Sequence, residues 1–289
     1  MKLKLLLSAI LAALLMVPAV ASAQNEEFPD ELVLGMVPSR EAGVIVDSLE
    51  PLAQMLEERL LIPVDTFIST NYVGLVEAMG SGRVDIGLFG PAALVQAMDR
   101  HGAEVILASV RFGSTTYKSQ FNIQCDSGID SFEDLEGKTI AFVDPGSASG
   151  YQFPYVFLKN RYGIDPNTDM ESIFAGSHDA AVLAVYLGDV DVAVSFNDAR
   201  EELVDDYPDV MEKVCVLGYT QDIPNDGVVV RNELPDELKE QIQQALIDIA
   251  ETEEGKALTQ ALFNVTAFAP IEPEVYDVVR EVSSEFERD

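Results

Sequence analysis

The chain has 289 residues, with 18 Lys and Arg against 50 Asp and Glu, a formal net charge of −32. Nucleic acid and anionic membrane surfaces would be repelled by that charge and are excluded as partners. The length suffices for two domains. With two cysteines and two histidines far apart in sequence, no metal centre, catalytic thiol or cofactor is expected.

Residues 1–23 read as an export leader. Lys2 and Lys4 precede an apolar run from Leu5 to Val17, and Ala21-Ser22-Ala23 forms a small-residue cleavage site. The run is too short and too early for a bilayer anchor. No Cys follows it, so no lipid anchor is expected and the mature protein would be free in a periplasm-like, extracytoplasmic space. Losing this segment removes two Lys and no acid, leaving 16 basic and 50 acidic side chains and a net −34. Such self-repulsion is best screened in a saline medium. An oxidising compartment permits a disulfide between Cys125 and Cys215, which would stabilise the fold by roughly 4 kcal/mol; two buried thiols are the other reading.

Beyond the leader, strands alternate with helices, the pattern of α/β layers with largely parallel sheets. Strands are expected at Glu31–Val37, Val64–Ile68, Arg83–Phe89, Val105–Ser109, Lys118–Cys125 and Thr139–Val143. Ser48–Leu61 has helical apolar spacing, with Pro51 placed in its first turn and Pro63 beyond its end. Tyr72–Met79 is a helix closed by Gly80 and Gly82, and Pro91 opens another. The segment from Pro235 onward is expected to be mainly two helices, Glu237–Glu251 and Pro273–Phe286.

An internal repeat organises these elements. Gly82-Arg83-Val84-Asp85-Ile86-Gly87 recurs as Gly188-Asp189-Val190-Asp191-Val192-Ala193, and the helices before them align as well. Two equivalent units imply two similar lobes facing one another. Ligands of open α/β sheets sit beyond the carboxyl ends of the strands. Each unit should therefore aim its helix start and its strand end at a shared cleft. The first unit offers Tyr72 and Phe89-Gly90-Pro91; the second offers His178 and Phe196-Asn197-Asp198. Asp85 and Asp191 are read as turn-shaping residues, not ligands.

Asp144-Pro145-Gly146-Ser147-Ala148-Ser149-Gly150 follows a strand and precedes the helical stretch Tyr151–Tyr162. Small residues there expose backbone N–H groups at a helix start, which favours an anion, and Ser147 and Ser149 add hydroxyl donors. An ordinary helix-capping loop is the plainer alternative. The segment lacks the Lys of a nucleotide-binding loop and the G-x-G-x-x-G spacing. Asp198, if turned inward, would favour an oxyanion that carries a proton.

These residues resemble a known family. Ser147–Gly150 followed by Phe153-Pro154 is similar to the S-T-S-G…P signature of phosphonate- and phosphite-type periplasmic binding proteins of ABC transporters. Asn71-Tyr72-Val73-Gly74, Val84–Gly90, Gly176–Ala181 and Ile223-Pro224-Asn225-Asp226 match that family's other blocks in order. The resemblance implies a type II, two-lobed binding fold with lobe 1 at 24–116 plus 226–289, lobe 2 at 117–225, and a two-segment hinge. It implies a small phosphorus oxyanion (phosphonate, phosphite or phosphate) held by Tyr72, Ser147, Ser149, His178 and the amides of Ala148, Ser149 and Gly150. Asn197 or Asp198 would supply the family's acidic position. Ala148 stands where Thr is usual and Phe89 where some members have Tyr, so two hydroxyl donors are missing. The implied partner is a membrane permease, the implied state a monomer, and no catalysis is expected. An enzyme on the same scaffold (ester hydrolase or cofactor-precursor synthase) and a ligand-presenting sensory protein are the alternatives; no G-x-S-x-G elbow supports the first.

Overall fold

The computed structural model describes residues 28–111 and 113–286. The leader expected at 1–23 lies outside the described residues. Among the described residues, no helix is long and apolar enough to cross a membrane.

The chain builds two mixed sheets. In sheet order the first holds strands 267–269, 104–110, 227–230, 86–89, 32–36 and 64–68, and the second holds strands 171–174, 139–142, 192–196, 116–124 and 214–224. In chain order the first lobe begins with β1 (Leu32–Met36), α1 (Ala42–Leu60), β2 (Val64–Ile68), α2 (Tyr72–Gly80), β3 (Ile86–Phe89), α3 (Pro91–His101) and β4 (Glu104–Val110). The second lobe carries β5 (Thr116–Gln124), β6 (Thr139–Phe142), a helix from Ala148 to Tyr162 whose central turn is α4 (Phe153–Phe157), and β7 (Glu171–Phe174). It continues with α5 (His178–Leu187), β8 (Val192–Phe196), α6 (Val210–Lys213) and β9 (Val214–Pro224). The chain then returns through β10 (Gly227–Val230), α7 (Asp236–Glu251), α8 (Glu253–Phe263), β11 (Ala267–Ala269) and α9 (Asp277–Ser283).

The two sheets share one plan. In the first, β1 lies parallel to β2 and β3; in the second, β6 lies parallel to β7 and β8. The next position in each sheet is filled by an antiparallel strand arriving from the other lobe, β10 beside β3 and β5 beside β8. The chain therefore passes between sheets twice, at 111–115 and at 225–226. These crossings are tied together: Asn225 donates from its backbone to Thr115 and from Nδ2 to the carbonyls of Ser109 and Ser114, both at 2.9 Å.

The repeat is visible in the hydrogen bonds. Asp85 Oδ2 accepts from the Val33 amide at 2.9 Å, and Asp191 Oδ2 accepts from the Thr139 amide at 2.8 Å. Each Asp also donates its own amide to the same residue's carbonyl. Both carboxylates thus clamp the third strand of a unit to the start of its first strand, which is why an acid recurs at that spot.

Three local expectations change. α1 begins at Ala42, so Pro51 lies inside it, not in its first turn. An interior Pro forfeits one backbone bond and costs about 3 kcal/mol. The buried stripe Ile45, Leu49, Leu52, Leu56 and Leu60 outweighs that loss. Second, β3 is shorter than expected because Arg83 and Val84 belong to the turn leading into it. Third, the C-terminal region holds an additional helix, α8, capped by Thr252, whose Oγ1 accepts from Gly255 N at 3.0 Å, and the edge strand β11.

Cys125 and Cys215 are joined in a disulfide with Cα atoms 4.9 Å apart. It fastens the end of β5 to β9 and closes a loop spanning 90 residues.

Candidate ligand-binding site

Three structural devices aim side chains into the cleft between the sheets. The first is a capped helix start. Asn71 takes an extended conformation and its Oδ1 accepts from Gly74 N at 2.7 Å, so Tyr72 becomes the first residue of α2 and is buried. Ser177 does the same for α5, accepting from Ala180 N, and makes His178 the first residue there. His178 Nδ1 accepts the Phe196 amide proton at 3.2 Å. The ring's own proton is therefore on Nε2, which is left as a donor. Burial, with Arg111 and Arg40 nearby, lowers the His178 pKa to about 3, so the imidazole is neutral.

The second device is the loop after the first strand of each unit. After β6, Asp144 Oδ1 accepts from Gly146 N at 2.7 Å and bends the chain. Ser147 then caps the helix, its Oγ accepting from Gly150 N at 3.0 Å. Ala148 and Ser149 occupy the first turn, where amides have no intrahelical partner and the helix dipole is positive. The loop meets the first lobe directly. A Cβ on Gly146 would lie 2.6 Å from Tyr72 Cβ, and the Tyr72 amide donates to the Asp144 carboxylate. The Tyr72 side chain approaches Ser147, and that of Tyr117 approaches Ser149. After β1, Ser39 faces the same cleft. Its carbonyl accepts from His178 N at 3.2 Å, while its buried Oγ has no hydrogen-bond partner.

The third device is the pair of crossings, which bring Arg111, Tyr117 and Asp226 to the cleft floor. Arg111 and Asp226 form a buried ion pair. Burial raises the Asp226 pKa, while Arg111 and Arg40 pull it back down. The Arg111 guanidinium also stands 5.4 Å from the Tyr117 ring and 5.8 Å from the Phe196 ring. A further ion pair, Arg40 with Glu202, joins the two lobes beside the cleft. Burial raises the Glu202 pKa to about 7 against the opposing pull of Arg40.

Hydroxyl, amide and imidazole donors line one space in the cleft. Among the described residues, no group of three or more His, Cys, Asp or Glu is arranged to hold a metal.

Of the residues singled out from the sequence, Tyr72, Gly90, Pro91, Ser147, Ala148, Ser149 and His178 line this space together. Phe89, Gly150, Asn197 and Asp198 do not. The Phe89 ring turns away to pack over Gly87 and borders a second, apolar cavity with Leu52 and Leu262. The Gly150 amide is spent on Ser147 Oγ, and a Cβ there would collide with Val143. Asn197 Oδ1 accepts from Lys118 N at 3.1 Å. Asp198 adopts the left-handed conformation at φ 67°, which Asp tolerates, and its amide donates to Gln120 Oε1 at 3.0 Å. Its carboxylate lies beside Asn197, and the acid in the cleft is Asp226.

Ser39, Arg111, Tyr117 and Asp226 were not expected as site residues, whereas Phe196, expected at the cleft as a strand end, does line it. Two of these carried a signal. Ser39 sits in the first unit's counterpart of the Ser147 loop, and Asp226 closes one of the blocks that carried the resemblance. Arg111 and Tyr117 stand in no motif.

Residues 34–276 match the family described as "ABC transporter, phosphonate, periplasmic substrate-binding protein". The chain belongs to that family. It is 30% identical over 280 residues to the phosphate-import protein PhnD of Mycolicibacterium smegmatis, covering 90% of this chain and 87% of the relative. It is 28% identical over 247 residues to the phosphonates-binding periplasmic protein of Escherichia coli, covering 83% and 72%. The binding-protein component of an ABC phosphonate transporter from Pseudomonas aeruginosa superposes with a TM-score of 0.81 at 25% identity, covering 91% of this chain and 88% of that one. The two-sheet plan with reciprocal strand exchange is thus the family's type II binding fold.

Proposed function

We propose that this protein captures a small phosphorus oxyanion (phosphonate, phosphite or phosphate) in the cleft between its lobes and delivers it, unchanged, to the permease of an ABC importer. The observation that carries this reading is the convergence of donors from both lobes on one buried space. Ser147, Ser149, the amides of Ala148 and Ser149, and His178 Nε2 come from the second lobe; Tyr72 and Ser39 come from the first. Charge-assisted bonds to such an anion are about twice as strong as neutral ones. Ligand contacts shared by two lobes also reward closure, and the closed form is what a permease can recognise.

Lobe 1 comprises 24–116 and 226–289, lobe 2 comprises 117–225, and the paired crossings are the hinge. The mature protein acts as an exported monomer after removal of residues 1–23. Binding without turnover fits the site's chemistry. His178 Nδ1 is engaged by a backbone amide, its pKa is near 3, and Ser147 Oγ is committed to a helix cap. His178 is therefore not poised as a base to activate a serine.

Isothermal titration of the mature protein in high salt, against phosphate, phosphite, methylphosphonate and sulfate, tests the proposal. One-to-one binding of a phosphorus compound, with no heat from sulfate, is expected. Binding of none of them, or hydrolysis of a chromogenic phosphate or carboxylic ester, would overturn it.

A further inference from the structure

A carboxylate on the floor of an anion site is out of place unless something compensates it. Asp226 is such a group: its side chain is 9% exposed, one oxygen lies 3.6 Å from where a Gly90 Cβ would stand, and it lines the cleft. A buried carboxylate persists only when paired or protonated. Two kinds of partner could pair it. A ligand could bring its own cation, or the protein could supply one. Here the protein does so. Arg111, 8% exposed, contacts Asp226 Oδ2 and is held in place by the rings of Tyr117 and Phe196. The pair spans the two crossings, 115 residues apart in sequence.

We propose that the Arg111–Asp226 pair makes this site selective against phosphorus oxyanions that carry a cationic substituent. The inference rests on the oxyanion reading above and narrows it. The ligand class is inorganic phosphate, phosphite or a simple alkylphosphonate. An ammonium group on the ligand would meet the Arg111 charge beside Asp226, with the carboxylate already paired, and be repelled. To reach Asp226 it would have to displace the guanidinium and leave that charge buried and unpaired, a discrimination by mismatch as well as by fit. A ligand without a cation leaves the pair intact, and the anion then faces a locally neutral floor in place of a bare carboxylate.

The test separates charge from size by comparing 2-aminoethylphosphonate with n-propylphosphonate, its counterpart of equal length without the ammonium, and with methylphosphonate. The wild-type protein should bind propylphosphonate at least 10-fold more tightly than the aminoethyl compound. In R111M, whose side chain keeps most of the volume and loses the charge, that ratio should fall at least 10-fold. In R111M/D226N it should return toward the wild-type value, because the carboxylate that welcomes the ammonium is gone. Equal wild-type affinity for the two, or exclusion of both while methylphosphonate binds, would assign selection to size and overturn the inference alone. This comparison needs no variant. A folded R111M that binds methylphosphonate with an unchanged ratio would also overturn it. Failure of every phosphorus compound to bind would instead remove the oxyanion reading and the inference with it.

Discussion

The two halves of this molecule are copies at the level of scaffold and strangers at the level of chemistry. Val33, Tyr72 and Asp85 of the first unit correspond to Thr139, His178 and Asp191 of the second, each pair 106 residues apart, and the two Asp clamps are superposable in their bonding. At the helix starts the scaffold delivers a side chain to the cleft in both halves, a phenol in one and an imidazole in the other. At the strand ends the halves part company. After β3, Gly90 passes straight into α3 with Pro91 at its first position; after β8, the chain swings through a left-handed Asp198 into a 3₁₀ turn. A repeat therefore locates positions wherever the backbone is truly repeated, and only there.

The largest asymmetry is the disulfide, which belongs to the second lobe alone. Replacing both Cys125 and Cys215 with Ser should cost about 4.5 kcal/mol by loop closure and lower the melting temperature by roughly 10–15 °C. Hydrogen exchange should show β5 and β9 opening before the first sheet does. Uniform opening of both lobes would break the comparison and make the disulfide a global rather than a local device.

The next effect contrasts the two loops that follow the first strands. Ser147→Ala with Ser149→Ala should weaken oxyanion binding at least ~100-fold, since each hydroxyl bond to a charged group contributes about 1.5–3 kcal/mol. Ser39→Ala removes one donor and should weaken it about 10-fold. Circular dichroism should show both variants folded, the double variant slightly less stable because Ser147 also caps its helix. Retained affinity in the double variant, or a larger loss from Ser39→Ala, would shift the anion to the first lobe.

How far the site could be read in advance follows the same division. The β-α alternation, the duplicated unit and the anion-binding loop are local features: apolar spacing, a Gly turn, small residues between a strand and a helix. They were legible because each is written in a contiguous segment. Arg111 and Asp226 meet through two crossings 115 residues apart, and their pairing exists only once both strands have exchanged sheets. No local pattern records that. The Phe89 ring was placed by its strand-end position, yet the absence of a side chain at Gly87 let it fold back over the strand. Pro51 misled for the opposite reason: a local signal for a helix start was overruled by five buried apolar residues around it, which carry the helix back to Ala42.

A third contrast concerns acid. His178 titrates near 3 in the folded protein against 6.5 ordinarily, so the unfolded chain takes up its proton first. Stability from this group is complete above pH 6.5 and is lost as pH falls toward 3, about 2 kcal/mol of it by pH 5. Glu202 has the opposite sign. Its folded value of about 7 exceeds the ordinary 4.5, so its contribution is present below pH 4.5 and is lost as pH rises to 7. Urea unfolding of His178→Gln at pH 5 and pH 8 should therefore show the wild type losing about 2 kcal/mol relative to the variant at the lower pH. Tyr72→Phe, at the equivalent position, should show no such pH term. Burial pushes that phenol up, far from this range.

The smallest expected difference between the halves tests the clamps themselves. Asp85 is 5% exposed and, besides the Val33 amide, accepts from Arg231 Nε at 3.0 Å and Nη2 at 2.7 Å. Asp191 is half-buried, with the Thr139 amide as its side-chain donor at 2.8 Å. Removing a carboxylate strands whatever it satisfied, so Asp85→Ala leaves the Val33 amide unmatched and Arg231 with only its longer contact to Glu233, while Asp191→Ala leaves one amide. Costs of about 2–3 kcal/mol and about 1 kcal/mol should follow in denaturant unfolding, with Arg231→Leu in the Asp85→Ala background recovering part of the difference. Equal costs would mean that the shared backbone clamp carries the effect in both halves, and that Arg231 adds nothing to the first.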